Sequence, residues 1–282
     1  MTPSFNFTVF LAVPLLLINA VAQAATVSYN TGSLGSAADG TNADPVTFVD
    51  GVVVTGGDQA ASYDGLSGTN TTIPFQAGLN PVATSPFTIE FWANPTNSDG
   101  DDAPVSNRVA SGNRSGWAFF QREPNTGWNF RMYDGVGSNL GWDLTGGTSA
   151  LNAWSHVVAT WDGSVAQLFV NGALADSSND PGASGVYNAD GFNNFIVASS
   201  DTGSPYAGAL DEVAFYGSAL SPAQILNHFN LVSAATPGAY HSAIRADGAR
   251  LQLTNNTPIP EPTSLALLGV GGLAVLRRRV RD

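Results

Sequence analysis

The chain contains no cysteine and no lysine. The first absence removes disulfides, thiolate zinc sites and cysteine nucleophiles together. The second leaves arginine as the main cationic side chain, in a sequence where only 11% of residues are charged. The arginines are unevenly placed, because Arg277, Arg278, Arg279 and Arg281 crowd the last six residues. Between Ala25 and Ile259, 6 Arg face 17 Asp and 3 Glu, a net charge of −14. A body of that charge repels nucleic acid and anionic membrane surfaces, so neither is expected as a partner. Glutamate is scarce, at positions 90, 123, 212 and 261 only, and there is no Gly-x-Ser-x-Gly nucleophile elbow. Gly 31 and Pro 16 are plentiful, which suits many short strands joined by turns.

The two ends stand apart from the body. The apolar run Val9 to Ile18, followed by Ala22-Gln23-Ala24, has the form of a secretory signal peptide over residues 1–24, although no Lys or Arg precedes the run. At the other end, Thr263 to Leu276 is uncharged and mostly apolar. As a helix it reaches about 21 Å, short of the bilayer's apolar core of about 30 Å. Pro258, Pro260 and Pro262 stop helix from extending upstream. Pro260-Glu261-Pro262, an apolar segment and the cluster Arg277-Arg278-Arg279 resemble, in that order, the PEP-CTERM sorting signal of Gram-negative bacteria. The resemblance implies an exosortase-type processing enzyme as partner, transient residence in the inner membrane through residues 258–282, and a final place at the cell surface or in the extracellular matrix.

Between the ends the pattern is of strands. Phe87, Ile89 and Phe91 alternate with Thr88, Glu90 and Trp92. Trp154 to Trp161 and Val165 to Val170 form a hairpin through Asp162-Gly163, and Asn171-Gly172 makes a second turn. Gly116–Arg122, Trp128–Tyr133, Asn194–Ser199 and Ala209–Tyr216 are further strands. Ser221-Pro222-Ala223-Gln224 is a capping box that opens a short helix. This composition predicts an all-β sandwich over residues 25–233. Residues 234–257, with no long apolar period, read as a linker.

FTIEFWANP (87–95), WSHVVATWDGSVAQLFVNG (154–172) and YAGALDEVAFYGSALSPAQI (206–225) resemble the hallmark strands of laminin-G-like, concanavalin-A-like jelly-roll domains. AASYDGLSGTNTTIP (60–74) is similar to an early strand of the same family. The resemblance implies a jelly-roll sandwich, a carbohydrate or exopolysaccharide ligand, and often Ca²⁺. Carried over by position, Asp64 and Asp211 are the expected calcium ligands.

The residues themselves offer little for catalysis. The Glu-x-Asp-x-x-Glu of laminarinase-type members of this fold is missing, and Asp211 and Glu212, being adjacent on a strand, should point to opposite faces. His156, His228 and His241 read as structural. Trp117, Trp128, Trp142 and Tyr133, near Arg108, Arg114, Arg122 and Arg131, are the expected ligand-binding aromatics, with core packing as the competing role. The acidic stretch Ser98 to Asp102 lacks the spacing of an EF-hand loop. An exported, non-catalytic binding or adhesion module that takes a glycan is therefore expected. The alternatives are a structural matrix protein with a protein partner, and a polysaccharide-cleaving enzyme.

Overall fold

A computed structural model describes residues 32–253 except 44, 54–57, 98–99, 123–126, 178–181, 235 and 237. The expected signal peptide and the sorting tail lie outside the described residues.

Two antiparallel sheets pack face to face, with strands numbered along the chain. One has seven strands in the order β1 (Thr41–Asn42), β4 (Thr71–Ile73), β13 (Phe195–Val197), β6 (Val105–Val109), β7 (Ser115–Gln121), β8 (Trp128–Tyr133) and β9 (Leu140–Gly146). The other has eight, in the order β12 (Ala173–Asp176), β11 (Ala166–Val170), β10 (Ser155–Trp161), β5 (Phe87–Pro95), β14 (Ala207–Tyr216), β3 (Gln59–Asp64) and β2 (Thr47–Asp50), with β15 (Ala249–Leu253) also paired to β14. This is the predicted jelly-roll sandwich.

The turns form as their residues dictate. Asp162 Oδ1 accepts the amides of Ser164 at 2.8 Å and Val165 at 2.7 Å, closing the β10–β11 hairpin. Asn171 and Gly172 both take positive φ, +52° and +77°, the conformation that lets a two-residue loop reverse a twisted ribbon. Helix α1 (Pro222–Leu231) opens with the complete capping box: Ser221 Oγ accepts from the Gln224 amide, and Gln224 Oε1 accepts from the Ser221 amide.

Strand β5 sits near the middle of its sheet, and the period of two sorts its side chains. Phe87, Ile89 and Phe91 enter the core between the sheets with Phe119, Trp128 and Phe215. Thr88, Glu90 and Trp92 face outward, yet all three are buried. A third layer covers them, made of α1, α2 (Ala239–Ala246) and the loop before α1, which meets Thr88 at Ser218 and Leu220. Trp92, Val158 and Tyr216 of the sheet pack there against Ile225, Tyr240 and Ile244.

From Ala239 to Leu253, that layer corrects the reading of residues 234–257 as a linker. Tyr240 and Ile244, four apart on α2, are buried, and Leu251 of β15 reaches the inter-sheet core. β15 pairs with β14 on one side, and on the other its carbonyls at Ala249 and Arg250 accept the amides of Ser33 and Leu34. The segment hides its apolar residues in two short patterns, one helical and one alternating. Each is stable only because a formed sheet waits beneath it.

Candidate metal centre beneath the C-terminal helix

The outward face of the eight-stranded sheet carries two buried acid clusters. The first centres on Glu90. Its Oε1 accepts from His156 Nε2 at 2.8 Å and the Tyr240 hydroxyl at 3.1 Å; its Oε2 accepts from His228 Nδ1 at 2.9 Å and the Tyr216 hydroxyl at 2.8 Å. Burial by itself raises a carboxyl's pKa, but the hydrogen bonds and charges of His156 and His228 hold Glu90 well below the usual carboxylate range. Four donors from four elements saturate this carboxylate.

The second cluster is less well supplied. On β14, Leu210 and Val213 enter the inter-sheet core, while Asp211 stands opposite Trp92 and Ala214 opposite Glu90 on the outer face. One residue is therefore in excess, and the register shifts between Asp211 and Ala214. Glu212 absorbs the excess at φ +49°, a left-handed conformation uncommon outside glycine. This bulge overturns the expectation that Asp211 and Glu212 point to opposite faces. Glu212 meets His241 of α2, with its Oε1 2.6 Å from Nε2, and its Oε2 accepts from Gln252 Nε2 at 3.3 Å.

Asp211 and Asp58 converge from the other side. Asp211 Oδ2 accepts the Val52 amide at 2.8 Å and its Oδ1 the Glu212 amide at 2.9 Å. Asp58 Oδ2 accepts the Val53 amide at 3.0 Å, whereas its Oδ1 is buried with no hydrogen-bond partner. Gly51 lies between the two carboxylates, where a Cβ would come within 2.1 Å of Asp58 Oδ2 and 2.7 Å of Asp211 Oδ2. A carboxylate oxygen of Asp58, one of Glu212 and a ring nitrogen of His241 all lie within 4.8 Å of one another. Burial first, then the neighbouring charges of Glu212 and Asp58, pushes the Asp211 carboxyl well above its ordinary range. Burial also raises Glu212, against the opposing hydrogen bond from His241. The Glu212 carboxylate in turn raises His241 above 6.5.

The family model for the concanavalin A-like lectin/glucanases superfamily matches residues 66–226. The chain belongs to this superfamily. The PEP-CTERM protein-sorting motif matches residues 258–280. Among solved structures, the binding domain of paraclostridial mosquitocidal protein 1 is similar, at 19% identity over 68% of this chain and 47% of that one, with a TM-score of 0.54. The botulinum neurotoxin serotype G binding domain is similar at 15% identity over 71% and 47%, with a TM-score of 0.55. The chain thus spans about half the length of each, and the likeness is one of fold. No curated protein matches the sequence.

Within the lectin/glucanase sandwich, the sequence-expected residues scatter. Asp64 is exposed at the end of β3, where it accepts the Leu66 amide at 2.9 Å and stands opposite Ala207. Asp211 is four residues further along β14, about 13 Å away at strand rise, so the two cannot share one ion. Trp117 and Trp128 are wholly buried in the inter-sheet core. Trp142 packs edge-on against Trp161 at 5.6 Å. Tyr133 is buried too, and its hydroxyl accepts from Arg108 Nη1 at 2.7 Å. Of the residues that do converge, Asp211 alone was expected as a ligand. Asp58 and His241 both fall outside the stretch that matches the superfamily, and only the bulge and α2 bring them in.

Proposed function

We propose that this chain is an exported, non-catalytic binding module of the cell surface or extracellular polysaccharide matrix, with a glycan as ligand. The observation that carries the reading is the union in one chain of a lectin/glucanase-superfamily sandwich with a PEP-CTERM sorting motif. The tail is the substrate of an exosortase-type membrane enzyme, and the sandwich is what that enzyme delivers.

The outer face of the eight-stranded sheet is roofed by α1 and α2. The outer face of the seven-stranded sheet is the better candidate for the ligand. Arg131 lies there, 3.5 Å from Asp143 and stacked over Phe120 at 4.9 Å. Arg122 stands nearby, 2.9 Å from Asp101. Guanidinium and carboxylate groups on a strand surface suit the hydroxyls of a sugar chain. A non-catalytic role is supported by where the closely spaced acids lie. Asp58, Asp211 and Glu212 are buried against α2, out of reach of a polymer.

The test is a glycan array probed with the full chain, with and without added divalent cations. Retention on a defined glycan, lost in Arg131→Ala, is expected. A blank array together with recovery of a protein partner would instead favour a structural matrix component. Burial of Trp117 and Trp128 lends that second reading its weight, since no indole of that pair is left to stack on a sugar. Mass spectrometry of protein recovered from cells and medium tests sorting: both ends should be shortened, at the signal peptide and near Pro260.

A further inference from the structure

The two acid clusters share one sheet face and differ in one respect. Glu90 has four donors, whereas the Asp58–Asp211–Glu212 group is short of positive charge. Among the described residues its one ion pair is Glu212 with His241. Asp58 is 8% exposed and its Oδ1 has no hydrogen-bond partner, and one carboxylate oxygen of this residue belongs to the group of atoms gathered within 4.8 Å. Burying a carboxylate oxygen without a donor is costly unless a cation or a proton meets it. Gly51, having no Cβ, lets the Asp58 and Asp211 carboxylates close together against its backbone.

The donor chemistry narrows the ion. Calcium takes six to eight oxygens and seldom imidazole, while zinc and manganese accept carboxylate and imidazole together. We propose that Asp58, Glu212 and His241, with Asp211 beside Asp58, bind a divalent transition-metal ion of the zinc and manganese class, in place of the calcium expected from the sequence. The ion clasps three separate parts of the chain: the residue just before β3, the bulge of β14, and α2. Gln252, which donates to Glu212, lies on β15, the last described strand before the sorting tail. Metal therefore holds down the segment from which the tail departs. This inference does not rest on the glycan reading.

The experiment uses the full chain stripped with a chelator and titrated separately with Zn²⁺, Mn²⁺, Co²⁺ and Ca²⁺. Zn²⁺ or Mn²⁺ at micromolar concentration is expected to raise Tm by several degrees, since a ligand of the native state stabilises it by mass action. Bound Co²⁺ should show visible d–d absorption that Zn²⁺ bleaches. Hydrogen exchange in α2 and β15 should slow when metal is bound. His241→Gln, with an unchanged circular dichroism spectrum, should weaken Zn²⁺ by at least the tenfold or so that loss of even an outer-shell partner costs. Asp58→Asn gives a second removal of one donor. If no cation shifts Tm, the acids share protons and the proposal falls. It falls equally if Ca²⁺ raises Tm alike in the native chain and in His241→Gln.

Discussion

His228 donates through Nδ1 to Oε2 of Glu90 at 2.9 Å, and both side chains are wholly buried. The opposite ring nitrogen, Nε2, lies 2.9 Å from Asp247 Oδ2. An imidazole with a carboxylate at each nitrogen is held as the cation, so the hydrogen bonds and charges of Glu90 and Asp247 raise its pKa above 6.5 despite the opposing effect of burial. The pair ties α1 to the centre of the sheet, and Tyr240 ties α2 to the same carboxylate.

Glu90→Ala should cost about 3–5 kcal/mol, because it strands a buried charge partner and three further donors at once. Urea unfolding followed by tryptophan fluorescence measures this. A loss under about 1 kcal/mol would mean that the helices dock without the network.

Stability should decline on the alkaline side. A histidine whose folded pKa is raised contributes stability that is complete below its unfolded value, 6.5, and is lost as pH rises through the folded value. In metal-free protein the raised carboxyls of Asp211 and Glu212 act in the same direction, since the folded state keeps protons that the unfolded chain releases. Glu90, held low, has the opposite sign: its contribution is present above 4.5 and fades only as pH falls further through its folded value. The urea midpoint of metal-free protein should therefore fall from pH 6 upward, and less steeply in His228→Asn. Equal slopes in the two proteins would remove His228 from the account.

Leu251→Ala distinguishes a built-in strand from a linker. The side chain is fully buried in the inter-sheet core, so the truncation should cost about 2–5 kcal/mol. A change at a linker position would leave the urea midpoint where it was.

Trp117→Ala should cost about 3–5 kcal/mol, from lost burial and the cavity left against Phe119 and Phe195. A ligand-stacking tryptophan would behave in reverse, losing glycan retention while the unfolding midpoint stayed constant.

Much of the sandwich is legible along the chain. Phe87, Ile89 and Phe91 alternate as a strand must, Asp162-Gly163 and Asn171-Gly172 are turns by residue type, and Ser221 with Gln224 marks a helix start. These are local signals, each resting on contacts a few residues apart. The strands β1, β2, β6 and β9 were not legible, because short polar stretches such as Val105–Val109 become strands only by pairing with distant neighbours. The tryptophans were ambiguous for a related reason: a period of two shows that Trp117 and Trp128 share faces with other residues, not which face turns inward.

By itself, then, the amino-acid sequence determined the superfamily, the β-sandwich class and the sorting motif at its end. All three are written in ordered local patterns, and the motif works as a linear signal. Tertiary structure alone decided the chemistry of the outer face. A single extra residue at Glu212 turned two neighbouring acids to one side, and α2 then set His241 against Glu212. Asp58 and Asp211 lie 153 positions apart and Asp211 and His241 thirty, so no spacing rule links them. Their meeting depends on sheet pairing and on burial of Tyr240, Ile244 and Leu251, apolar contacts with no counterpart in local sequence.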